Sequence, residues 1–175
     1  MGDMTEQQRD RESVLPESLL QSPSFILAQL VRESRRIGVR VNNDDLRMPH
    51  VMVLATLEWF GPAAQRDISG RLRIDASDLV SVLDDLEERG LVERRRDDRD
   101  RRRYVVSITT AGAGALHSRM VSAQKINDIL LAPLDKEERE RLHEMLVRVY
   151  RHHDPHKVSA EFLSRIQAIS KAKLL

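Results

Sequence analysis

Residues 91–110 read LVERRRDDRDRRRYVVSITT, a dense run of arginine and aspartate set between two short apolar segments with no proline inside. This pattern predicts a β-hairpin. Leu91 and Val92 open one strand and Tyr104 to Ile108 complete the other, while the loop between them is too charged to be buried and must project into solvent. Between Arg94 and Arg103 lie seven arginines against three aspartates, so the tip is positive. An arginine-rich tip suits a phosphate-lined groove, although a solvated hairpin whose charges neutralise each other has the same composition.

The segment before the hairpin favours the groove. Three short helices are predicted in succession, Met48 to Phe60, Gln65 to Leu72 and Ala76 to Arg89. Gly61-Pro62 ends the first, and Gly90 takes the left-handed position past the third. The third helix has the clearest start: Asp75 is its N-cap, Asp78 stands where it can answer the Asp75 N–H, and Ile74 with Leu79 have the spacing of a hydrophobic staple. Leu79, Val82, Leu83 and Leu86 form its apolar stripe, and Ser77, Ser81, Asp84 and Glu88 its polar face. Two short helices, a turn and a charged hairpin make a winged helix-turn-helix.

From about Ser24 to Tyr150 the chain resembles the MarR family of winged-helix transcriptional regulators. The resemblance rests on Leu86-Glu87, Gly90-Leu91-Val92, Arg94, Asp100-Arg101-Arg102 and Ile108-Thr109 followed by Gly112. It implies a mainly α fold with a small β-hairpin wing, flanked by N- and C-terminal dimerisation helices. It also implies a homodimeric, sequence-specific DNA-binding regulator, a repressor relieved by a small aromatic or anionic effector. By match to the family, Arg102 enters the minor groove and Asp100 braces the wing. Arg94, Arg95, Arg99, Arg101 and Arg103 are then phosphate contacts or wing braces, joined at the start of the second helix by Gln65 and Arg66.

The chemistry of the third helix suggests direct readout of bases. Ser77 and Ser81 can hydrogen-bond to several base edges, Val80 can touch a thymine methyl, and Asp78 can accept from a cytosine amino group if it is not spent as a cap. The family more often carries hydroxyl and basic residues around positions 78 and 81, a departure that weakens direct readout here. Asp84 and Glu88 would be repelled by phosphates, so the N-terminal turn should lead into the groove. The double-stranded operator should be near-palindromic, with half-sites roughly 34 to 36 Å apart.

Composition fits this reading. The chain has 175 residues with 41% hydrophobic and only 3% aromatic, which calls for an aliphatic core. Its net charge of +1 gives no bulk attraction to nucleic acid, so the distribution of charge matters more than its sum. No apolar run reaches membrane-spanning length and no signal-peptide core is present, so a cytoplasmic protein without membrane contact is expected. The absence of cysteine excludes thiol-based oxidant sensing.

The expected organisation is a polar, partly disordered arm at 1–21, an N-terminal dimerisation helix at 22–47, the winged helix-turn-helix at 48–110 and a C-terminal helical dimerisation region at 111–175. Within these, helices are predicted from Ser24 to Val41, Thr110 to Leu131 and Lys136 to His152. Leu142, Met145, Leu146 and Val149 lie on one face, and Val158, Phe162, Ile166 and Ile169 repeat at helical spacing. One small domain cannot cover all these stripes, which favours a second copy of the chain over helices folding back on their own subunit.

Effector-lining candidates are Arg32, Arg36, His50, Met52 and Trp59, with Trp59 also readable as core and His50 as a helix-start residue. His143, His152, His153 and His156 with Asp154 have a metal-box composition, which leaves a metal-responsive regulator as an alternative. Adjacent histidines diverge on a helix, however, so no metal site or cofactor is assigned. No nucleophile elbow, phosphate loop or HExxH pair is present, so no catalytic residue is assigned and no enzyme is expected. A winged-helix module that binds an acidic protein surface is the alternative from another class.

Overall fold

The computed structural model describes residues 15–41, 46–96, 104–155 and 159. Its elements in chain order are α1 (Glu17–Leu20), α2 (Pro23–Val41), α3 (Met48–Phe60), α4 (Gln65–Leu72), α5 (Ala76–Glu88), β1 (Val92–Arg96), β2 (Tyr104–Ile108), α6 (Thr110–Leu130) and α7 (Lys136–His153). The chain forms two units divided between Asn127 and Asp128. The hairpin and the three short helices stand where the sequence places them. One turn of helix, α1, lies within the stretch expected to be a frayed arm. The expected stripe from Val158 to Ile169 falls outside the described residues.

The core of the first unit is aliphatic and centres on α3 and α5. Val53, Leu54, Leu57, Ile68, Leu79, Leu83 and Leu86 are almost completely buried, with Val92 and Val106 closing the side toward the hairpin. The whole predicted stripe of α5 is therefore in the core. Each such side chain contributes about 1.5–3 kcal/mol by leaving water, which fixes the face that α5 turns inward and hence the face left outside.

The strands pair antiparallel from Val92 opposite Ile108 to Arg96 opposite Tyr104. A third segment joins them. Ala63 and Val106 exchange backbone hydrogen bonds of 3.1 and 2.9 Å, so the loop between α3 and α4 is stitched to the hairpin. This bridge is one residue long, too short to leave an alternating pattern in sequence.

The link from α5 through the hairpin to α6 is specified atom by atom. Gly90 adopts φ +69°, its N–H donates to Glu87 O, and the Leu91 N–H reaches back to Leu86 O at 2.9 Å, the bond pair of a Schellman cap. At the other end of the hairpin, Thr109 Oγ1 accepts from the Gly112 N–H at 3.0 Å and donates to Gly90 O at 2.8 Å. A Cβ at Gly112 would stand 2.0 Å from the Leu91 carbonyl oxygen. The Thr-x-x-Gly motif thus combines a helix cap with the clearance that lets α6 start against the end of α5.

In the second unit, Asp135 caps α7. Its carboxylate accepts from Glu138 N at 2.9 Å, and the Glu138 carboxylate accepts from Asp135 N at 2.9 Å. The α7 face bearing Met145, Leu146, Val149 and Tyr150 is exposed.

Two glycines of α6 should respond to alanine with opposite sign. Gly112→Ala must displace the Leu91 carbonyl and should destabilise the protein by about 2 kcal/mol. Gly114, with open space around its Cα, should gain about 0.5–1 kcal/mol as alanine. Urea denaturation of both variants checks the pair, and equal effects would show that the approach to Leu91 is not tight.

Candidate nucleic-acid interface

With its apolar stripe buried, α5 leaves Ser77, Asp78, Val80 and Ser81 exposed on its outer face. The helix begins at Asp75, whose Oδ1 accepts from the Ser77 N–H at 2.8 Å and from the Ser77 hydroxyl at 2.5 Å. These bonds, the hydroxyl's first and the backbone's second, hold the Asp75 carboxyl below its ordinary value of 3.8. The reciprocal box expected from Asp78 does not form. Ser77, two residues on, is the side chain that takes up the cap, and Asp78 remains on the outer face. Ahead of the turn, α4 presents Gln65 half-buried and Arg66 exposed.

The carboxylates farther along α5 are engaged from two sides. Asp84 receives Arg94 Nη2 at 2.6 Å, and Glu87 receives both Arg94 Nη1 and the Arg94 backbone N–H, the latter at 3.2 Å. Burial disfavours the Arg94 charge, but Asp84 and Glu87 outweigh it and hold the guanidinium pKa above its ordinary value. Asp85 accepts from Arg89 Nε at 2.9 Å and meets His50 Nε2 at 2.9 Å. His50 is fully buried, and its Nδ1 accepts from the Arg47 N–H at 3.0 Å. That bond leaves the ring proton on Nε2, aimed at Asp85.

Arg94 therefore stands apart from the other expected phosphate contacts, its side chain turned onto α5. A signal for this was present in the sequence. Strand alternation puts Arg94 on the face of buried Val92, and Asp84 and Glu87, one helical turn apart, end the preceding helix. Arg99, Asp100, Arg101, Arg102 and Arg103 lie outside the described residues. Arg95 and Arg96 end β1 exposed, and the Arg96 guanidinium sits 5.8 Å from the centre of the Tyr104 ring.

The five effector candidates are not brought together. Arg32 and Arg36 sit exposed on α2, with Arg32 on Gln29 at 3.4 Å and Arg36 on Glu33 at 3.0 Å. His50 is in the core as a helix-start residue, Met52 is 36% exposed and Trp59 is 80% exposed, so Trp59 is not core. A cleft of about 710 Å³ lies instead among α2, α3 and α6, lined by Ser34, Arg35, Gly38, Val51, Arg119 and Ile126 among others. Arg119 Nη1 is buried with no hydrogen-bond partner. No local pattern marks Arg119, the one arginine of α6, because its burial depends on what packs around it in the fold.

His152 and His153 meet edge to face, with ring centres 5.1 Å apart. Among the described residues no group of three or more histidine, cysteine, aspartate or glutamate side chains is placed to hold a metal ion. His156 lies outside them. No helix among the described residues is long and apolar enough to cross a membrane.

Comparison with known proteins agrees with this architecture. Residues 46–104 match the model of the MarR family. A crystal structure of a probable transcriptional regulator from Pseudomonas aeruginosa shares 30% identity at a TM-score of 0.64, covering 75% of this chain and 98% of that one. The chain belongs to the MarR family. Members of this family are DNA-binding transcriptional regulators and not enzymes. The HTH-type transcriptional regulator YdgJ of Bacillus subtilis (strain 168) is 28% identical over 125 residues, 71% of this chain and 76% of that protein. BpsR of Bordetella bronchiseptica, described for regulation of its DNA binding by 6-hydroxynicotinic acid, has the same fold. Its TM-score is 0.62 at 21% identity, covering 74% of this chain and 94% of that one.

The Asp75 cap carries a pH signature. A carboxyl whose folded pKa is depressed stabilises the fold above its unfolded pKa, and the contribution is lost as pH falls through the folded value. The Tm gap between the protein and Asp75→Ala should therefore be full at neutral pH and shrink from about pH 4 downward, near the ordinary value of 3.8. A gap that persists to pH 2 in thermal melts would show that the ionised cap is not its source.

Proposed function

We propose that this MarR-family regulator is a homodimeric repressor that reads a near-palindromic operator and is released from it by a small aromatic or anionic effector. The observation that carries the reading is the outer face of α5. Ser77, Asp78, Val80 and Ser81 stand exposed on a helix whose other side is locked in the core, beside a hairpin that leads to the arginine-rich tip. Ser81 can donate to or accept from base edges, Ser77 can accept from them while its hydroxyl proton is on Asp75, and Val80 offers an apolar contact to a thymine methyl. Gln65, Arg66 and the wing arginines Arg99, Arg101, Arg102 and Arg103 supply phosphate and minor-groove contacts, with Asp100 as a brace.

Residues 22–47 and 111–175 serve as the dimerisation regions on either side of the reading head at 48–110. Support comes from unpartnered apolar faces on each: Leu27, Leu30 and Val31 on α2, and Met145, Leu146 and Val149 on α7, all exposed. Helical spacing gathers each trio into a stripe of the kind that an isologous contact covers. The protein is placed in the cytoplasm with the DNA that it reads.

The effector site is the cleft among α2, α3 and α6. A buried guanidinium nitrogen without a partner is costly, and a carboxylate would satisfy it. The regulated binding of BpsR by 6-hydroxynicotinic acid supports an aromatic acid as the class.

Fluorescence anisotropy on duplexes tiled upstream of the gene, against scrambled duplexes and across a salt series, tests the DNA reading. One near-palindromic tile should bind tightly, with log affinity falling by about 0.9 per neutralised phosphate for each decade of salt. Equal weak binding to all duplexes would favour a module for an acidic protein surface. For the effector, 6-hydroxynicotinate and related aromatic monocarboxylates should raise the Tm of the protein, and Arg119→Met should abolish the shift. A shift that survives in Arg119→Met would move the anion elsewhere.

A further inference from the structure

Arg94 lies at the base of the wing, where an arginine is easily taken for one more phosphate contact. Its geometry says otherwise. Nη2 is 2.6 Å from Asp84 Oδ1, Nη1 is on Glu87 Oε2, and the Arg94 backbone N–H donates to Glu87 Oε1 at 3.2 Å. Two separate nitrogens of the fork are thus committed to two carboxylates on one helix, and the strand that bears Arg94 is tied to the same helix through its own backbone.

Those carboxylates are two of the acidic groups, with Asp78 and Glu88, that would oppose DNA along α5. Asp84 is on the outer, exposed face of α5, one turn beyond Ser81 and Val80, and Glu87 follows it by three residues. Free, they would add two negative charges per subunit to a helix that must approach a polyanion. One guanidinium held against both removes part of that repulsion without meeting the DNA.

We infer that Arg94 supports DNA binding as a positioning residue, screening Asp84 and Glu87 and fixing the wing to the recognition helix, and not as a phosphate contact. The inference rests on α5 being the helix that enters the groove.

The test is a thermodynamic cycle on a duplex selected from a random pool by the unaltered full-length protein. Affinity and its salt dependence are measured for the protein, for Arg94→Met, for Asp84→Asn with Glu87→Gln, and for all three together. Arg94→Met should weaken binding about tenfold or more in the unaltered background, because it leaves two carboxylates uncompensated. It should cost less than about threefold once both carboxylates are neutral, with no fall in salt slope in either background. If Arg94→Met alone fails to fold by circular dichroism, the two variants with neutral carboxylates still decide, since neither holds an unpaired acid. Equal losses in both backgrounds, or a slope lower by about 0.9 for each lost contact, would overturn the inference and restore Arg94 as a phosphate ligand. No loss on Arg94→Met would also overturn it. If the unaltered protein selects no duplex, the DNA-reading assignment fails together with the inference.

Discussion

The α5 helix, proposed to read DNA, is held by burial on one side and by ion pairs at its far end, and the rest of the first unit is arranged around that division. Leu79, Val82, Leu83 and Leu86 are in the core, each worth about 1.5–3 kcal/mol, so burial decides that α5 is attached and which face points out. The Arg94 pairs are partly exposed and the His50–Asp85 contact joins a buried ring to a carboxylate that is 29% exposed, so each adds far less energy. What they add is direction. Burial tolerates small rotations of a helix about its stripe, whereas a fork across Asp84 and Glu87 and a ring nitrogen on Asp85 do not.

The same contacts connect the head to its surroundings. Arg94 ties α5 to β1, the Ala63–Val106 bridge ties the hairpin to the loop before α4, and the Gly90–Thr109–Gly112 junction starts α6 against the end of α5. His50 reaches α5 from the first turn of α3, whose Met48 and Val51 line the cleft. In the proposed effector site, an occupant pressing on that turn would act on the element that holds Asp85. Such a change requires the occupant to favour one position of α3 over another.

The hairpin, the three short helices and the aliphatic stripe of α5 were legible in the sequence because each obeys a local rule: strand alternation, glycine punctuation or helical spacing. The Asp75 cap was legible for the same reason, but its partner was not. Asp78 and Ser77 both stand in reach of the cap, and only the geometry of the first turn selects Ser77. The longer-range pairings left no periodic trace. His50 and Asp85 are far apart in sequence, and Arg119 is distinguished only by what surrounds it in the fold. Trp59 misleads in the opposite way, since a large aromatic in an aromatic-poor chain suggests core, yet it ends α3 on the surface.

Hydroxyl-radical footprinting of the protein on a duplex selected from a random pool is the most direct test of a dimer reading DNA with paired recognition helices. It should show two symmetric protected patches centred about one helical turn apart, roughly 34 to 36 Å, on one side of the duplex. A single unpaired patch, or uniform protection with no register, would contradict the account.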